Sequence, residues 1–590
     1  VRSRTEGLSN EARELLGRIV VSRGSLRLPE LLKAGPWRGD ILATLAQLQA
    51  RGLIRTESDG EDRQISPLNE PLQHAAMSVF DVALLRRSHR DLATALLSAN
   101  ADQSERVAYH LHAAGLHEEA FEHATSAAYL ATKALAFDRA AELYRLALQC
   151  KAGSWSVRKS AAEALVQAGR GAEAAPLFLS AAESAPATVV PRLLRQAAEQ
   201  FLNHGDLARG IEILFPLLRD AGIELPKRAR DLNAQLATHT DRLIRRGFDM
   251  VERAEFELAR RDLDRIDLCW TAGKGLMLND PIQGSLFLTQ GAQMALEAGE
   301  PRRIARSLAL CGLASRNRGI PEGADMLVHA EALADKIHDH YAFGLVRLCQ
   351  GILLRLEGQW LAALSELDFG LQYLAEHCPG TIWENGLGQA STMVALEAQG
   401  ELRVMSARVE ELLRRAQETG DTHTSLLAGI YSALILVAAG QTAEARARVQ
   451  TALARWSGAG FHVQHLHALK IEIYCDLHEG RPADAWQRIL AVWPQLEGSD
   501  FLRIATRRTE ALTLRAKAAL GAMRADHIGH AHLSEIVSQD VHQLERERKA
   551  HLNAEAALLR AGLVACAGNR AAASRHLDVA ISGFEQVGIA

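Results

Sequence analysis

The sequence predicts an all-α protein, in which a solenoid of helical repeats follows a small domain of three helices and a β-hairpin. The first observation behind this prediction is a spacing of 39 to 42 residues between six glycines, namely Gly319, Gly358, Gly400, Gly440, Gly480 and Gly521. A constant period of this size is typical of solenoids, in which each helix pair packs on its neighbours. The second observation is the composition, because 48% of the residues are hydrophobic but only 5% are aromatic. This composition favours closely packed helix pairs over a β-sandwich.

The N-terminal stretch differs from the rest of the chain and is expected to form a domain over residues 1–70. Short helices are predicted at residues 10–20, 28–34 and 40–50. Gly52 is placed to end the third helix, and residues 53–57 and a second short run ending in Ile65 flank a turn signal at residues 58–61, which predicts a β-hairpin. Three helices followed by a hairpin are the elements of a winged helix.

Many winged helices bind DNA, but the charges of this one argue against that function. The hairpin carries Arg55 and Arg63 against four carboxylates, which belong to Glu57, Asp59, Glu61 and Asp62. Phosphate contacts supply most of the affinity for DNA, and they need a basic surface. We therefore expect the winged helix to pack against protein and expect no nucleic acid partner.

Residues 71–235 are expected to form the first helical repeats. The runs at 107–115 and 140–148 combine small residues, a turn glycine and aromatic residues in the manner of tetratricopeptide (TPR) repeats. The interrupted stretch at 221–230 indicates a boundary, after which residues 236–590 are expected to form the long-period, TPR-like repeats. Within one unit, residues 426–435 are apolar on two faces and residues 445–456 on one, which predicts an inner and an outer helix.

Composition also bounds the cellular setting and the partners. The 67 basic and 71 acidic residues give a net charge of −4, so the chain as a whole does not attract anionic lipid. Seven scattered cysteines without a C-x-x-C pair indicate reduced thiols. The longest apolar stretch has 12 residues, whereas a membrane-spanning helix needs about 20. We expect a cytoplasmic protein that does not enter a membrane and, because the sequence begins with Val1, one that is part of a longer chain.

Two short strings imitate protein kinase motifs, but their context indicates ordinary helices. Residues 89–92 read His-Arg-Asp-Leu, yet Leu96 stands where a kinase has its metal-binding asparagine. Residues 368–370 read Asp-Phe-Gly inside a leucine-rich helical pattern. No phosphate-binding loop, nucleophile elbow or zinc-binding H-E-x-x-H helix is present in the sequence. We therefore expect no enzymatic activity, cofactor or metal in these residues.

The inner surface of a solenoid is a groove, so the best candidates for binding are the aromatic and histidine residues of the later repeats. These candidates are Trp383, Trp456, Phe461, His462, His465 and Trp486. The alternative for each is a place in the core, since most aromatic residues at helical spacing pack inside. The expected occupant of the groove is a protein or peptide partner, or a small inducer.

Several stretches resemble a known family of signalling proteins. Residues 8–16, the segment 50–54, and residues 87–96 leading to 110–115 resemble the region after the nucleotide-binding core of bacterial STAND-type ATPases. Residues 298–303, 453–457 and 460–465 resemble the repeat region of bacterial serine/threonine protein kinases that are fused to such an ATPase.

The resemblance implies a parent protein with kinase and AAA-like ATPase domains upstream, to which this chain is the C-terminal winged-helix and TPR-like part. In such a protein the repeats act as regulatory sensor and interaction scaffold. The alternative is the C-terminal part of a STAND-type transcriptional regulator, although the helix-turn-helix that ends such regulators is not found between residues 568 and 590.

Overall fold

The structure is a computed structural model that describes residues 2–59, 62–98, 103–223, 229–454, 461–497, 500–525 and 530–589. The chain divides into two compact units. Unit 1 comprises residues 1–168 and 177–187, and unit 2 comprises residues 169–176 and 188–590. The predicted domain limits at residues 70 and 235 fall inside unit 1 and unit 2 respectively, so these limits stay predictions.

Unit 1 contains helices and one small sheet. Its helices are α1 Arg2–Thr5, α2 Asn10–Val21, α3 Leu28–Lys33, α4 Ile41–Ala50, α5 Glu70–Val79, α6 Val82–Leu97, α7 Ser104–Ala114, α8 His117–Lys133, α9 Phe137–Cys150 and α10 Trp155–Gln167. Its strands are β1 Leu26–Arg27, β2 Ile54–Asp59 and β3 Asp62–Pro67. The next helix, α11 Gly171–Ser184, contributes residues to both units.

Local capping explains where the first helices begin. The hydroxyl of Ser9 accepts a hydrogen bond from the backbone of Ala12 at the start of α2, and the carboxylate of Asp40 accepts two at the start of α4. Such side chains satisfy N–H groups that have no partner within the helix. The three predicted helices and the predicted hairpin are confirmed as elements, while the winged-helix identity of residues 1–70 stays a prediction.

The sheet of unit 1 is antiparallel with β3 in the centre, and β1 and β2 pair with its two edges. Ile65 of β3 lies opposite Leu26 of β1 and Thr56 of β2. The side chains of Ile65 and Leu26 are fully buried against α2, so the sheet covers one side of a helical core. Alternate residues of a strand point to one face, which is why Ile65 can be buried while its polar neighbours in β3 point the other way.

A buried ion pair fixes the kinase-like string of α6. The guanidinium of Arg18 in α2 is 2% exposed, lies 2.6 Å from the carboxylate of Asp91, and donates to the backbone oxygen of Ala34. The aspartate of this string therefore joins two helices of the core. The second string also lies in a helix, where Gly370 packs against Leu348 of a neighbouring helix.

Unit 2 is helical throughout its described residues. Its α-helices are α12 Val190–Asn203, α13 Leu207–Asp220, α14 Ala229–Arg246, α15 Arg260–Leu276, α16 Pro281–Ala298, α17 Pro301–Asn317, α18 Gly323–Lys336, α19 His340–Leu356, α20 Trp360–His377, α21 Ile382–Ala398, α22 Leu402–Thr419, α23 Thr422–Ala438, α24 Thr442–Leu453, α25 Val463–His478, α26 Pro482–Glu497, α27 Ala505–Ala525, α28 His530–Arg546, α29 Ala550–Cys566 and α30 Arg570–Gln586. Two short 3₁₀ helices, Glu255–Glu257 and Asp500–Arg503, lie between them.

Consecutive helices of unit 2 pack as pairs, and glycines end many of them. Five of the six periodic glycines, Gly319, Gly358, Gly400, Gly440 and Gly480, have φ between +68° and +82°. This left-handed conformation ends a helix and strains any residue that has a Cβ atom. The prediction that a turn lies at Gly521 is wrong, because this residue lies inside α27 and packs against Leu477 and Pro482.

The apolar core of unit 2 is divided along the chain. One cluster extends from Leu243 to Leu387, a second from Met393 to Cys475, and a third from Leu466 to Leu559. Such neighbour-to-neighbour packing is the property that defines a solenoid. The all-helical, helical-repeat architecture predicted from the sequence is therefore confirmed.

The repeats of unit 2 curve until late helices meet early ones. The guanidinium of Arg507 donates to the backbone oxygen of Leu278 at 3.0 Å, across 229 positions of the chain. The ammonium of Lys549 donates to the backbone oxygen of Leu356 at 2.8 Å, across 193 positions. We call these contacts between residues 278–360 and residues 504–552 the seam. Because the seam joins distant repeats, the inner face of the solenoid encloses a chamber.

None of the helices in the described part of the chain is both long and apolar enough to cross a membrane. All seven cysteines are free thiols.

Candidate functional site

The chamber inside unit 2 has a volume of about 730 Å³. Its walls come chiefly from every second helix between α17 and α29, together with α16. Tyr431 of α23 lines the chamber, whereas its partner helix α24 contributes no lining residue. The prediction that α23 is an inner helix and α24 an outer one is therefore confirmed. The volume lies within the range of about 300 to 1,000 Å³ that is usual for small-molecule sites.

Most of the chamber wall is apolar. Among the side chains that form it are Ile352, Leu387, Val394, Leu427, Ile430 and Leu514. An apolar wall of this kind favours binding of a ligand with a hydrophobic part, because contact removes apolar surface from water.

A central ion cluster holds three inner helices together. The ammonium of Lys470 in α25 lies 2.9 Å from the carboxylate of Glu397 in α21 and 3.4 Å from that of Glu510 in α27. His467 lies 3.6 Å from the other oxygen of Glu510. The side chains of Lys470 and Glu510 are only 12% and 28% exposed, so the cluster is shielded from bulk water.

The cluster changes the acid–base behaviour of its members. Burial alone would raise the pKa of Glu510, but the charges of His467 and Lys470 outweigh burial and hold that pKa at about 2. Burial alone would lower the pKa of Lys470, but Glu397 and Glu510 raise it well above its usual value. Glu510 and Lys470 are therefore charged at neutral pH.

The other two carboxylates of the chamber wall are also paired. Glu555 of α29 lies 3.0 Å from the ammonium of Lys517, and Glu547 accepts from the guanidinium of Arg508. Each of the four acidic side chains of the wall therefore has a basic partner.

The basic side chains of the wall are more numerous than the acidic ones and are only partly neutralised. The six basic residues are Arg318, Arg355, Lys470, Arg507, Lys517 and Lys549. Lys470 and Lys517 pair with carboxylates as described above. The other four have no salt bridge to any carboxylate in the described parts of the chain. The chamber therefore carries an excess of positive charge, all of it on residues at or beside the seam.

One corner of the seam concentrates these unpaired cations. Arg355 makes neither a hydrogen bond nor a salt bridge to any residue that the structure describes, and its Nε atom is buried. His551 lies against Trp360, with ring centres 5.3 Å apart, and the indole nitrogen of Trp360 is likewise buried without an acceptor. Lys549, which precedes α29, donates to the backbone oxygen of Leu356 and forms no salt bridge with a described carboxylate.

The pKa values at this corner reflect burial that nearby carboxylates offset only in part. Burial lowers the pKa of Lys549, the carboxylates of Glu547 and Glu357 counter that effect, and the neighbouring Arg355 lowers the pKa further. Burial, Lys549 and Arg355 together lower the pKa of His551 to about 4, so this histidine is neutral at pH 7. Burial also lowers the pKa of Arg355 itself. An anion bound at this corner would offset the free-energy cost of holding these positive charges together.

Five of the six residues predicted from the sequence to bind a partner are described by the structure, and none of these five lines the chamber. Trp383 is 5% exposed and lies in the core, where the ammonium of Lys274 stands 5.2 Å from its ring centre. Lys274 in turn pairs with Glu384 at 2.6 Å. Trp486 is half-buried and packs against the third core cluster. Trp456 lies outside the described residues.

The predicted histidines belong to the start of α25. The ring of His465 accepts a hydrogen bond from the backbone of His462 at 3.0 Å and so caps the helix. Phe461 packs on His465 and on Phe501, with ring centres 5.6 Å and 5.5 Å apart. A binding role for these residues stays a prediction.

Sequence reasoning missed Arg355, Lys470, Glu510 and Lys549. The available signal was a charged residue within the apolar pattern of an inner helix, as at Lys470 and Glu510. The pairing of these residues depends on helices that are far apart in the sequence, so no local motif could reveal it.

Two further polar groups lie outside the chamber. In unit 2, the carboxylate of Asp267 accepts hydrogen bonds from two nitrogens of the Arg303 guanidinium, at 2.9 and 3.0 Å. These residues line a cavity of about 310 Å³. In unit 1, the ligand atoms of His112, His117 and Cys150 all lie within 4.8 Å of one another. Two imidazoles and a thiol are ligands that suit Zn²⁺, so these three residues could hold such an ion.

Comparison with models of protein families finds no match, and comparison with curated proteins finds none. Solved structures that resemble the chain include a Signal Transduction ATPase with Numerous Domains (STAND) protein with a tetratricopeptide repeat sensor from Pyrococcus horikoshii. That similarity has 11% identity and a TM-score of 0.28, and it covers 76% of this chain but only 63% of that one.

Two other similar structures are yeast Tom70 and the TPR domain of P58(IPK). Tom70 has 13% identity and a TM-score of 0.29, with 80% of this chain and 96% of that chain covered. The P58(IPK) domain has 12% identity and a TM-score of 0.16, with 79% and 98% covered. At these TM-scores the assignment of helical repeats rests on the helix pairs of unit 2 themselves.

Proposed function

We propose that this chain is the regulatory sensor and interaction scaffold of a larger bacterial signalling protein, and that the chamber of unit 2 holds the inducer or partner segment that is sensed. The observation that carries the proposal is the convergence of inner helices from residues 277 to 589 on one half-open chamber. A ligand there contacts repeats that are far apart in the chain. Its binding energy therefore depends on how the repeats are arranged, which is the requirement for a sensor.

The remaining parts of the proposal concern the parent protein. Residues 1–70 are a winged-helix-like domain that ends an ATPase module, and upstream ATPase and kinase domains receive the signal. The order of helices and strands in unit 1 supports this assignment, as does the resemblance of residues 8–16 and 87–96 to STAND-type proteins. The repeats themselves contribute binding and no chemistry.

The proposal is tested by filling the chamber in the full-length protein. Val394 of α21 is half-buried in the chamber wall, so Val394→Trp places an indole where the ligand is expected. We expect this variant to abolish the change in catalytic output that cell extract produces in the natural protein. The matched control is Val328→Trp, because Val328 is 62% exposed on the outer helix α18.

The outcome that would overturn the proposal is equally specific. If the Val394→Trp protein keeps its circular dichroism spectrum and responds to extract as the natural protein does, the chamber is not a sensing site. A second arm removes residues 229–590, and unchanged regulation of the shortened protein would contradict the role of the repeats altogether.

A further inference from the structure

The unpaired cations of the chamber are not scattered over its wall. Arg318 and Arg355 end or follow inner helices of early repeats, whereas Arg507 and Lys549 begin late ones. The seam brings the two sets together, since Arg507 and Lys549 both donate to backbone oxygens of the early repeats. Four cations therefore lie at or beside the seam, two from each set.

Positive charges in such a place need compensation. The cost of removing a cation from water falls when an anion lies nearby, and it stays high when only a carbonyl dipole is available. Arg507 and Lys549 each have such a carbonyl, and Arg318 has the hydroxyl of Thr240 at 3.5 Å. Arg355 has no partner among the described residues. Each carboxylate of the wall is paired with another base, so Glu547 and Glu510 offset only part of the cost of burying Lys549 and Arg355, and the pKa of both cations stays lowered.

We propose that the seam cations bind the anionic group of a small organic ligand whose apolar part lies in the chamber, so that the ligand ties the late repeats to the early ones. This inference rests on the proposed function, because it names the chemical class of the ligand for the same chamber. The anionic group is a carboxylate or a phosphate, since an arginine guanidinium binds either through two parallel hydrogen bonds.

The shape and composition of the chamber fit a ligand with two unlike ends. The cations occupy the seam, while Leu387, Val394 and Leu427 line another part of the wall. The N-terminus of α29 lies at the seam and adds to the positive potential there. Lys549 is its N-cap residue and makes no side-chain hydrogen bond to the helix. Backbone N–H groups at a helix N-terminus favour an anion.

The experiment compares two fluorescent probes that share an aromatic body. Anilinonaphthalene sulfonate carries an anionic group, whereas N-phenyl-1-naphthylamine is neutral. We expect the purified chain to bind one sulfonate probe per molecule at least roughly tenfold more tightly than the neutral probe, as a charge-assisted contact requires. Arg355→Gln and Lys549→Gln should each weaken the sulfonate about tenfold and leave the neutral probe unchanged.

Two control variants make the comparison specific. Arg316→Gln removes a charge near the same turn, but Arg316 does not line the chamber and pairs with Glu357 at 2.8 Å, so we expect a change below about twofold. Arg355→Lys keeps the positive charge and should bind the sulfonate within about threefold of the natural chain. Circular dichroism shows whether each variant is folded.

The two proposals fail in different ways. If both probes bind equally and Arg355→Gln changes neither, the anion site is overturned while the chamber remains a binding site. If Val394→Trp leaves the binding of both probes unchanged, the chamber is not the site and the proposed function fails with it. Displacement of the sulfonate by decanoate or by decyl phosphate, but not by decanol, identifies the anionic group, and equal displacement by decanol would contradict the proposal.

A separate measurement tests whether the ligand ties the late repeats to the early ones. Hydrogen–deuterium exchange of residues 504–509 and 549–553 should slow when the sulfonate probe is bound, and the neutral probe should not slow it. Unchanged exchange in the presence of saturating sulfonate would overturn the claim that the ligand ties the seam.

Discussion

The ammonium of Lys470 and the carboxylate of Glu397 lie 2.9 Å apart although 73 positions of the chain separate the two residues. Glu510 approaches the same ammonium from a third helix. One lysine thus joins α21, α25 and α27 from within the chamber. In a solenoid, where most contacts are between neighbours, this contact gives cooperativity over several repeats.

Lys470→Met is expected to destabilise unit 2 by about 3 kcal/mol, because it leaves two shielded carboxylates with too few cations. The loss of stability is measured by urea unfolding, with hydrogen–deuterium exchange in α21 and α25 as the readout. Arg414→Met serves as control, since Arg414 pairs with Glu411 and Glu418 on the outer surface. We expect no measurable change for this control. A loss for Lys470→Met as small as that for Arg414→Met would show that the cluster does not stabilise the repeats.

The pair α17 and α18 depends on a close approach of two glycines. A Cβ atom on Gly312 would lie 2.6 Å from the backbone oxygen of Gly323, and backbone cannot move aside as a flexible side chain can. We expect Gly312→Ala to lower stability by about 2 kcal/mol, as for other overpacked cores. Thermal unfolding measures this change.

Gly386→Ala is the matched control for the same substitution. Gly386 lies inside α21, and a Cβ atom there would have no neighbour closer than 3.8 Å. Alanine favours a helix over glycine, so this variant should be unchanged or more stable by up to about 1 kcal/mol. The interpretation of Gly312 would be wrong if both variants shifted the unfolding temperature alike.

Unit 1 is expected to lose stability in mild acid because of a buried histidine pair. The Nδ1 atoms of His89 and His110 lie 2.9 Å apart. Burial lowers the pKa of His89 to about 4 and, together with repulsion from His89, Arg106 and Arg23, lowers that of His110 to about 3. Both folded-state pKa values lie below the ordinary value of 6.5, so the neutral forms are favoured in the folded state.

The stability that the neutral pair contributes is present above pH 6.5 and is lost as the pH falls toward 4. Hydrogen–deuterium exchange of α6 and α7 at pH 7.0, 5.5 and 4.5, corrected for the intrinsic rate, measures this loss. His110→Phe removes one titrating ring and keeps an aromatic side chain, so it should reduce the acid-induced loss. An identical pH profile for His110→Phe would assign the acid sensitivity to other groups.

The sequence predicted the repeat architecture well because that information is local. A glycine such as Gly440 ends a helix through its own backbone conformation, and the apolar faces of α23 and α24 follow from spacing within each helix. The same rule failed at Gly521, where the flanking residues continue the helix and the glycine serves packing against Leu477 instead. A glycine at the expected period has two uses, and its sequence neighbours alone do not distinguish them.

The sequence predicted the general location of the candidate site but not the residues that form it. The inner face of the repeats was expected to bind, and the structure shows a chamber there. Aromatic residues were the expected anchors, but Trp383 is buried beside Lys274, since a large ring near a helix crossing fills the core. The charged residues of the chamber carried no local motif and were overlooked.

The sequence by itself determined the helices, most of their ends and the alternation of inner and outer faces, because these depend on residues within a few turns of one another. Only the tertiary structure decided that the repeats curve far enough for Lys549 to reach Leu356. That curvature is the sum of small rotations at every helix pair, and each rotation depends on how side chains interlock. The same sum decides that Arg355 and Lys549 share a corner in which neither forms a salt bridge with a described carboxylate.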